Sequence, residues 1–286
     1  MENIFDGKTA ALRMKEHMKW AVWRYTERMK APPALAVILV GEDPASAVYV
    51  RNKERACDLV GMHHSVIRLP VDATEEAVEH FVKHLNGDPF INGIIVQRPL
   101  PSGIRARYIA NLIDPVKGVD GLHPANMELL AAGIPRFIPC TPRACLRVLG
   151  SWGIALSGKR VVVLGRSDIV GRPMANLALM HDATVVIAHS RTRDLPALTR
   201  EADVLIVGIG KPEYVRGDWV KEGSTVIDVG INHVQEKLVG DVAFAEVVTR
   251  ARFITPVPGG IGPLTVAHLL QNTIQAACTQ NNITLT

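Results

Sequence analysis

The chain has 286 residues, of which 48% are hydrophobic and 5% aromatic, and its formal net charge is +4. This length allows one large or two medium domains, and the hydrophobic fraction excludes a disordered chain. The basic residues form no run and are not interleaved with aromatic residues, so we expect no nucleic-acid partner. No apolar stretch approaches the roughly 20 residues of a membrane span, and the N-terminus lacks a secretory pattern, so we expect neither membrane insertion nor secretion.

The cysteines and histidines give no sign of a metal centre. The four cysteines show no CxxC spacing; they are Cys57, Cys140, Cys145 and Cys278. They are typical of reduced, mostly buried thiols in a cytoplasmic protein and not of zinc ligands or a disulfide framework. The pair His63-His64 lacks partners at ligand spacing and is expected to lie on the surface. We therefore expect no metal.

In chain order, the first half alternates between helical and strand patterns. After an amphipathic opening helix, the pattern predicts a strand at 35–40, a helix at 44–60, a strand at 65–69, a helix at about 74–85, a strand at 93–97 and a helix after Pro101. The run at 35–40 is continuously apolar, as expected of a parallel strand that is covered on both faces. A loop rich in Gly, Asp and Pro is predicted at 114–126.

A second series of the same kind follows another helix, which is predicted after Pro142. Its strands are predicted at 161–164, 184–188, 204–207 and 225–229, and a last helix is predicted at about 263–279. Alternation of strands and helices predicts an α/β protein with two three-layer domains and a cleft between them. We expect residues 1–138 plus the C-terminal segment 263–286 to form one domain and residues 139–262 to form a second, Rossmann-like dinucleotide-binding domain.

The predicted helix at 44–60 carries a lysine on its inward face. Asp43 suits the N-cap, Pro44 the first turn and Gly61 the left-handed stop. At about 100° per residue, Tyr49 and Lys53 share the face opposite the one that is rich in charge. A lysine on that face loses water, its pKa can fall toward neutrality, and it can transfer protons. The alternative is a lysine that snorkels at the rim of a core.

A glycine-containing turn follows the strand at 161–164 and precedes a helical pattern. Such a turn presents free backbone N–H groups where a pyrophosphate binds at a helix N-terminus. The segment departs from GxGxxG, because Ser167 replaces the middle glycine of the motif that starts at Gly165, and the last glycine, Gly171, is displaced. A tight turn without a ligand remains the alternative.

The end of the next strand indicates which dinucleotide is bound. An NAD site is expected to have Asp or Glu there, bonded to the ribose hydroxyls. This chain has His189-Ser190-Arg191 instead, and Arg166 adds a second positive charge in the turn. Arginine and serine bind a 2′-phosphate that a carboxylate would repel, so the pattern favours NADP. The alternative is an exposed polar loop.

Four side chains of the first domain are expected beyond the carboxyl ends of its strands, where ligands of open α/β sheets bind. They are Tyr49, Lys53, Gln97 and Asp120. A carboxylate can accept two parallel hydrogen bonds from a heterocycle with an amino group beside a ring N–H, and an amide can hold a lysine without neutralising it. Separately, each has an ordinary alternative: a surface tyrosine, a strand-end glutamine or a turn aspartate.

Six segments in order along the chain also carry a family resemblance. They are YVRNK at 49–53, VQRPLP at 96–101, VDGLHPAN at 119–126, PCTPR at 139–143, GRSDIVGRPM at 165–174 and TPVPGGIGPLT at 255–265. The chain resembles the bifunctional methylenetetrahydrofolate dehydrogenase/cyclohydrolase family. The resemblance implies NADP-dependent oxidation of 5,10-methylenetetrahydrofolate and hydrolysis of the methenyl product to 10-formyltetrahydrofolate, in one-carbon metabolism and purine biosynthesis.

The resemblance also implies roles for particular residues. Lys53 would transfer the proton, Gln97 would position it, Tyr49 would stack on or orient the folate and Asp120 would hold the pterin, with Pro263 as a further folate contact. The implied NADP contacts are Gly165, Arg166, Ser167, Gly171, Ser190, Arg191 and Ile231. The loop 256–262 would lie by the nicotinamide. A homodimer through the cofactor domain is implied as well.

Two positions depart from the family pattern. Arg98 stands where the family usually has leucine, beside the expected catalytic amide, and Gly118 stands where the family usually has an acidic residue. Arg98 could change the charge around Lys53, so a dehydrogenase with weak or absent cyclohydrolase activity is an alternative. From another class, a non-catalytic NADP-binding sensor is the other alternative, although it would have no use for a proton-transfer lysine.

Overall fold

A computed structural model describes residues 3–285, apart from the side chain of Ala45. The chain divides into two compact units. The segments at 49–53, 96–101 and 119–126 fall in a unit made of Leu12–Leu129, Pro135–Ile138 and 266–285, called unit A here. Unit B consists of 3–11, Leu130–Ile134 and Pro139–Thr265. Within residues 3–285, no helix has the length and apolar character needed to cross a membrane.

Up to Ala131 the chain alternates helices and parallel strands. The elements are α1 (Gly7–Met29), β1 (Ala34–Val40), α2 (Pro44–Val60), β2 (His63–Leu69), α3 (Glu75–Gly87), β3 (Gly93–Val96), α4 (Ala106–Leu112) and α5 (Pro124–Ala131). The sheet has three parallel strands in the order β2-β1-β3. All seven residues of β1 are buried, as the apolar run predicts. Its carboxyl end and that of β3 therefore meet at one edge.

Helix α2 follows the predicted pattern closely. The Asp43 carboxylate accepts the backbone N–H of Ser46 at 2.7 Å, and Gly61 ends the helix with φ 80°. Ala56 and Val60 are buried, whereas Arg51 and Asp58 are exposed. The amphipathic face inferred from the sequence is therefore confirmed, and it brings Lys53 to the same side as the buried residues.

The segment between α4 and α5 is held by polar groups of its own unit. The ammonium of the buried Lys117 donates to three backbone carbonyls at the C-terminal end of α3, those of Leu85, Asn86 and Asp88, at 3.1, 2.9 and 2.7 Å. Ile94 of β3 donates its N–H to the Lys117 carbonyl at 2.7 Å. These bonds fix the loop that leads to Asp120 against the end of the sheet.

The rest of the chain forms a second parallel sheet. Its elements are α6 (Cys140–Ser151), β4 (Arg160–Leu164), α7 (Gly171–Met180), β5 (Thr184–Ala188), α8 (Leu195–Thr199), β6 (Val204–Val207), β7 (Thr225–Asp228), β8 (Asn232–Val234), β9 (Lys237–Val239), α9 (Phe244–Val247), β10 (Phe253–Ile254) and α10 (Ile261–Gln280). The five parallel strands run in the order β10-β7-β6-β4-β5. The chain reverses its direction of travel across the sheet between β4 and β6, and doubly wound sheets bind ligands at such a point.

The structure adds short elements that the sequence pattern does not reveal. Helix α5 starts at Pro124, inside the predicted loop 114–126, and the antiparallel hairpin β8–β9 and the two-residue strand β10 are also new. Elements this short depend on tertiary contacts and not on periodicity. Two strands end one residue before the prediction, yet Gln97 still donates its N–H to Ile38 at 2.8 Å and Val229 to Val207 at 2.8 Å.

Candidate active site

Lys53 and Gln97 form a direct hydrogen bond in unit A. The Lys53 ammonium donates to the Gln97 side-chain oxygen at 2.5 Å, and both residues are half-buried. The Gln97 amide nitrogen in turn donates to the backbone carbonyl of Arg98 at 2.6 Å. Because the nitrogen is engaged there, the amide presents its oxygen to the lysine. The pair that the sequence placed on separate elements is thus brought together.

The sheet geometry explains why the two side chains meet. Gln97 directly follows β3, and its N–H bond to Ile38 continues the ladder with β1. Helix α2 follows β1 and carries Lys53 one turn before the buried Cys57. Burial raises the pKa of the Cys57 thiol to about 12, so this neighbour stays protonated and uncharged. The hydrogen-bond acceptor of Lys53 is the neutral Gln97 amide, which does not compensate the charge of the ammonium.

Asp120 belongs to the same electrostatic environment. One of its carboxylate oxygens accepts the N–H of Leu122 at 2.9 Å, which is the turn geometry of the ordinary alternative. Burial raises the pKa of the Asp120 carboxyl, and the positive charges of Arg98 and Lys53 oppose that rise. Asp120 thus lies within electrostatic reach of the lysine.

Tyr49 precedes Lys53 by one helical turn and is half-buried. Burial raises the pKa of its phenol above the ordinary value, so the ring stays neutral at physiological pH. A neutral phenol at this position can offer a ring face and one hydroxyl to a ligand.

The turn after β4 has no room for side chains at two glycines. Gly165 has φ +130°, and a Cβ there would lie 2.3 Å from the carbonyl oxygen of Gly208. A Cβ at Gly171, the first residue of α7, would lie 2.3 Å from the carbonyl oxygen of Gly165. The Ser167 hydroxyl accepts the N–H groups of Val170 and Gly171 at 3.2 and 3.4 Å. The close approach of two backbone segments at the start of a helix fits a dinucleotide pyrophosphate.

Asp241 and Gly208 were missed by the sequence reasoning. The buried Asp241 carboxylate accepts the N–H groups of Ile209, Gly210 and Lys211 at 2.6, 3.0 and 2.8 Å, which fixes the segment after β6. This segment begins with Gly208, beside Gly165, at the reversal point of the sheet. A glycine directly after an apolar strand is the signal that could have identified the segment, but no local pattern links it to Asp241.

The other expected cofactor residues lie at the same sheet edge or near it along the chain. Ser190 and Arg191 follow β5, their side chains are exposed, and the Arg191 N–H donates to the His189 ring at 3.1 Å. Arg166 is exposed in the turn after β4, and Ile231, between β7 and β8, is 40% exposed. The expected folate contact Pro263 lies in the first turn of α10, in unit B.

The structure also bears on metals and thiols. Three of the four cysteines are buried and all four are free, as predicted. Across the described part of the chain, no group of three or more His, Cys, Asp or Glu side chains is arranged to hold a metal ion. The polar groups of the candidate site in unit A are a lysine, an amide, a phenol and a carboxylate, and the candidate cofactor site of unit B is the glycine turn.

A doubly wound sheet with a glycine turn at its reversal point, together with a second parallel α/β unit that carries a lysine–glutamine pair, defines a two-unit nucleotide-dependent dehydrogenase. The family model for the tetrahydrofolate dehydrogenase/cyclohydrolase catalytic domain matches residues 5–120. The model for the NAD(P)-binding domain of the same family matches residues 139–281. The chain belongs to the tetrahydrofolate dehydrogenase/cyclohydrolase family.

Individual proteins agree with this membership. The bifunctional protein FolD of Acidiphilium cryptum is 54% identical over 277 residues, which cover 96% of this chain and 97% of that protein. A crystal structure of the Campylobacter jejuni bifunctional FolD enzyme superposes with a TM-score of 0.94 at 42% identity, covering 96% and 98% of the two chains. The Trypanosoma brucei FolD structure, complexed with NADP and an inhibitor, gives a TM-score of 0.94 at 38% identity, covering 96% and 97%.

Substitution of Gly171 by alanine tests the turn. The new Cβ would lie 2.3 Å from the Gly165 carbonyl oxygen, so the turn has to open and its N–H groups move. We expect Gly171→Ala to weaken NADP binding by about tenfold or more, because the charge-assisted hydrogen bonds from these N–H groups to the pyrophosphate would be displaced. Isothermal titration calorimetry measures the affinity.

The matched control is Gly150→Ala in α6, where a Cβ would meet nothing within 4 Å. This variant should bind NADP like the wild type. Wild-type affinity in Gly171→Ala would show that the turn does not bind the dinucleotide.

Proposed function

We propose that this chain oxidises 5,10-methylenetetrahydrofolate with NADP and hydrolyses the 5,10-methenyl product to 10-formyltetrahydrofolate, with Lys53 as the proton-transfer residue. Membership of the bifunctional family supports both activities. The observation that carries the assignment of Lys53 is its 2.5 Å hydrogen bond to an amide whose own orientation is fixed by Arg98. A lysine held in this way keeps its direction without being neutralised by a carboxylate in the same bond.

When bound, NADP would supply the hydride acceptor for oxidation of the folate methylene carbon. The chain contributes position to this step and needs no acid or base for it. Backbone N–H groups of the turn at Gly165–Gly171 would hold the pyrophosphate, and Arg166 with Ser190 and Arg191 would hold the 2′-phosphate. All three of these side chains lie at or next to the surface, where a phosphate can reach them.

Hydrolysis requires proton transfer. Water adds to the methenyl carbon and loses a proton, which leaves a hydroxyl on this carbon. The bond from the carbon to N5 then breaks as N5 gains a proton, and the hydroxyl releases its remaining proton to solvent, which leaves the formyl group on N10. Lys53 would accept the first proton in its amine form and supply the second as an ammonium. Gln97 would hold Lys53 at the reacting atoms during both transfers, as a positioning residue.

Asp120 and Tyr49 would hold the folate. A carboxylate accepts parallel hydrogen bonds from the 2-amino group and the ring N–H of a pterin, and the nearby positive charges of Arg98 and Lys53 favour its ionised form. The neutral Tyr49 ring, one turn from Lys53, would stack on or orient the folate.

The hold of Gln97 on Lys53 does not depend on the side chain of Arg98. The contact of Arg98 with Gln97 is made by the backbone carbonyl, which any residue at this position would offer. The charge of Arg98 acts on Asp120, where it favours the ionised carboxylate. We propose both activities for this chain, as its family membership supports.

Lys53→Met tests the proton-transfer role. Methionine keeps the length and apolar stem of the side chain but cannot titrate, so hydrolysis of methenyltetrahydrofolate should fall by about two or more orders of magnitude. Dehydrogenase activity should fall less, and methenyl product should accumulate, which can be followed spectroscopically. Lys53→Arg should rescue poorly because a guanidinium stays protonated. If Lys53→Met hydrolyses methenyltetrahydrofolate at the wild-type rate, after correction for the spontaneous reaction, then Lys53 takes no part in proton transfer and is only a lysine at the rim of the core.

Asp120→Asn tests the pterin contact. The substitution keeps the size of the side chain but replaces one acceptor oxygen by an NH2 donor, which would face the N–H donors of the pterin. Both activities should therefore fall together through a raised KM for folate. Glu128→Gln, an acidic-to-amide change on α5, is the matched control and should leave KM unchanged. If Asp120→Asn does not change the KM for folate, then Asp120 does not bind the pterin and only stabilises the turn.

Replacement of Arg166 and Arg191 by alanine tests the choice of cofactor. Charge-assisted bonds to the 2′-phosphate have no counterpart in NAD, so the KM for NADP should rise far more than the KM for NAD. Arg147→Ala, an exposed arginine of α6, is the control. A wild-type enzyme that uses NAD and NADP equally well would contradict the proposed selectivity.

Finally, we propose a cytoplasmic homodimer that associates through unit B. The free cysteines fit a reducing compartment. The edge strand β5 and the preceding helix α7 expose apolar side chains: Leu179 is 65% exposed, Ile187 41% and Met180 38%. The double variant Leu179→Glu, Ile187→Glu should be a monomer in sedimentation equilibrium, because two charges would be placed in the interface. Trp23 of unit A is 56% exposed, and the control Trp23→Glu should remain a dimer. A monomeric wild type would refute the dimer.

A further inference from the structure

A cavity of about 480 Å³ lies in unit B at the edge of the sheet opposite to the glycine turn. Four of its lining residues immediately precede a strand each: they are Lys159 before β4, Asp203 before β6, Ser224 before β7 and Arg252 before β10. The cavity is therefore built on the amino ends of adjacent strands. Its volume is within the range of pockets that hold small organic ligands.

The charged residues that line the cavity are three cations, Lys159, Lys221 and Arg252, and two carboxylates, Asp203 and Glu222, which leaves one positive charge in excess. The Asp203 carboxylate is already engaged by the Lys221 ammonium at 2.6 Å and the Arg160 N–H at 2.9 Å, which lower its pKa. Lys159 and Arg252 form no ion pair with an acidic residue of the described chain. Because Lys159 is half-buried, its charge is less screened than that of a surface lysine.

One wall of the cavity is aromatic. The rings of Trp152 and Phe253 stack with centroids 5.0 Å apart and an interplanar angle of 21°, and the Arg252 guanidinium lies 5.3 Å from the Phe253 ring centre. Phe5 packs its edge against Trp152 at 5.4 Å. The tryptophan is therefore held in place, and both it and Phe253 line the cavity. Rigid aromatic walls favour flat apolar groups.

We propose that this cavity binds a small aromatic carboxylate, with its ring against Trp152 and Phe253 and its carboxylate bonded by Lys159 and Arg252. Strands β4, β6 and β7 have four or five residues each, which separates the cavity from the glycine turn by roughly 13–17 Å. An occupant would therefore not overlap a dinucleotide at the turn. The proposal does not depend on the folate chemistry of unit A.

The test uses the full-length, ¹⁵N-labelled protein saturated with NADP and the probe 2-naphthoate. We expect saturable binding of one probe per chain by calorimetry, with a shift of the Trp152 indole N–H signal, which is assigned with Trp152→Phe. The signals of Trp20, Trp23 and Trp219 should not move. Lys159→Met and Arg252→Gln should each weaken binding about tenfold, the usual effect of losing one charge-assisted bond.

Arg147→Gln, away from the cavity, is the matched control and should bind like the wild type. The uncharged analogue 2-naphthamide should bind far more weakly than 2-naphthoate. Displacement of the probe by added NADP, equal binding of the amide, an unshifted Trp152 signal, or wild-type affinity in both Lys159→Met and Arg252→Gln would each overturn the proposal.

Discussion

The hydrogen bond between the Lys53 ammonium and the Gln97 amide is the contact on which the folate site depends. It joins residues 44 positions apart, and it exists because β1 and β3 are neighbours in a parallel sheet. Helix α2 leaves the end of β1 and turns its inward face toward the residue that follows β3. Replacing the amide by a carboxylate would satisfy the same geometry but would pair the lysine with an opposite charge and favour its protonated form. The amide is thus the partner that suits proton exchange.

The same geometric rule places the cofactor turn. In both sheets the residues of interest follow the carboxyl ends of strands, where backbone N–H groups and side chains leave the ladder and become available to ligands. In unit B the available space is created by the absence of side chains at Gly165 and Gly171 and by the Asp241 carboxylate, which fixes the segment after β6. Rigid backbone at this edge is what a pyrophosphate site requires. The polar groups at the amino edge serve a different purpose, which we infer to be the binding of a carboxylate.

The sequence predicts the long elements and the inward face of α2 because these depend on local signals: the Asp43 cap, the Gly61 stop and the periodicity between them. It also places Gln97 and the turn at Gly165 at strand ends. It brings Lys53 and Gln97 to a common sheet edge, and the family resemblance implies that Gln97 positions Lys53, but the hydrogen bond itself depends on a strand order that is set by tertiary packing. Helix α5 and the hairpin β8–β9 escape detection since they are too short to show a period, and the role of Asp241 arises only from long-range neighbours.

The account rests on Lys53 and Gln97 acting as one unit, and a double-mutant cycle measures this directly. Methenyltetrahydrofolate hydrolysis would be compared for the wild type, Gln97→Ala, Lys53→Met and the double variant. If Gln97 acts by positioning Lys53, its removal should slow hydrolysis about tenfold or more in the wild type and have almost no effect once Lys53 is methionine. An equal factor in both backgrounds would show that the two residues act independently and would contradict the account.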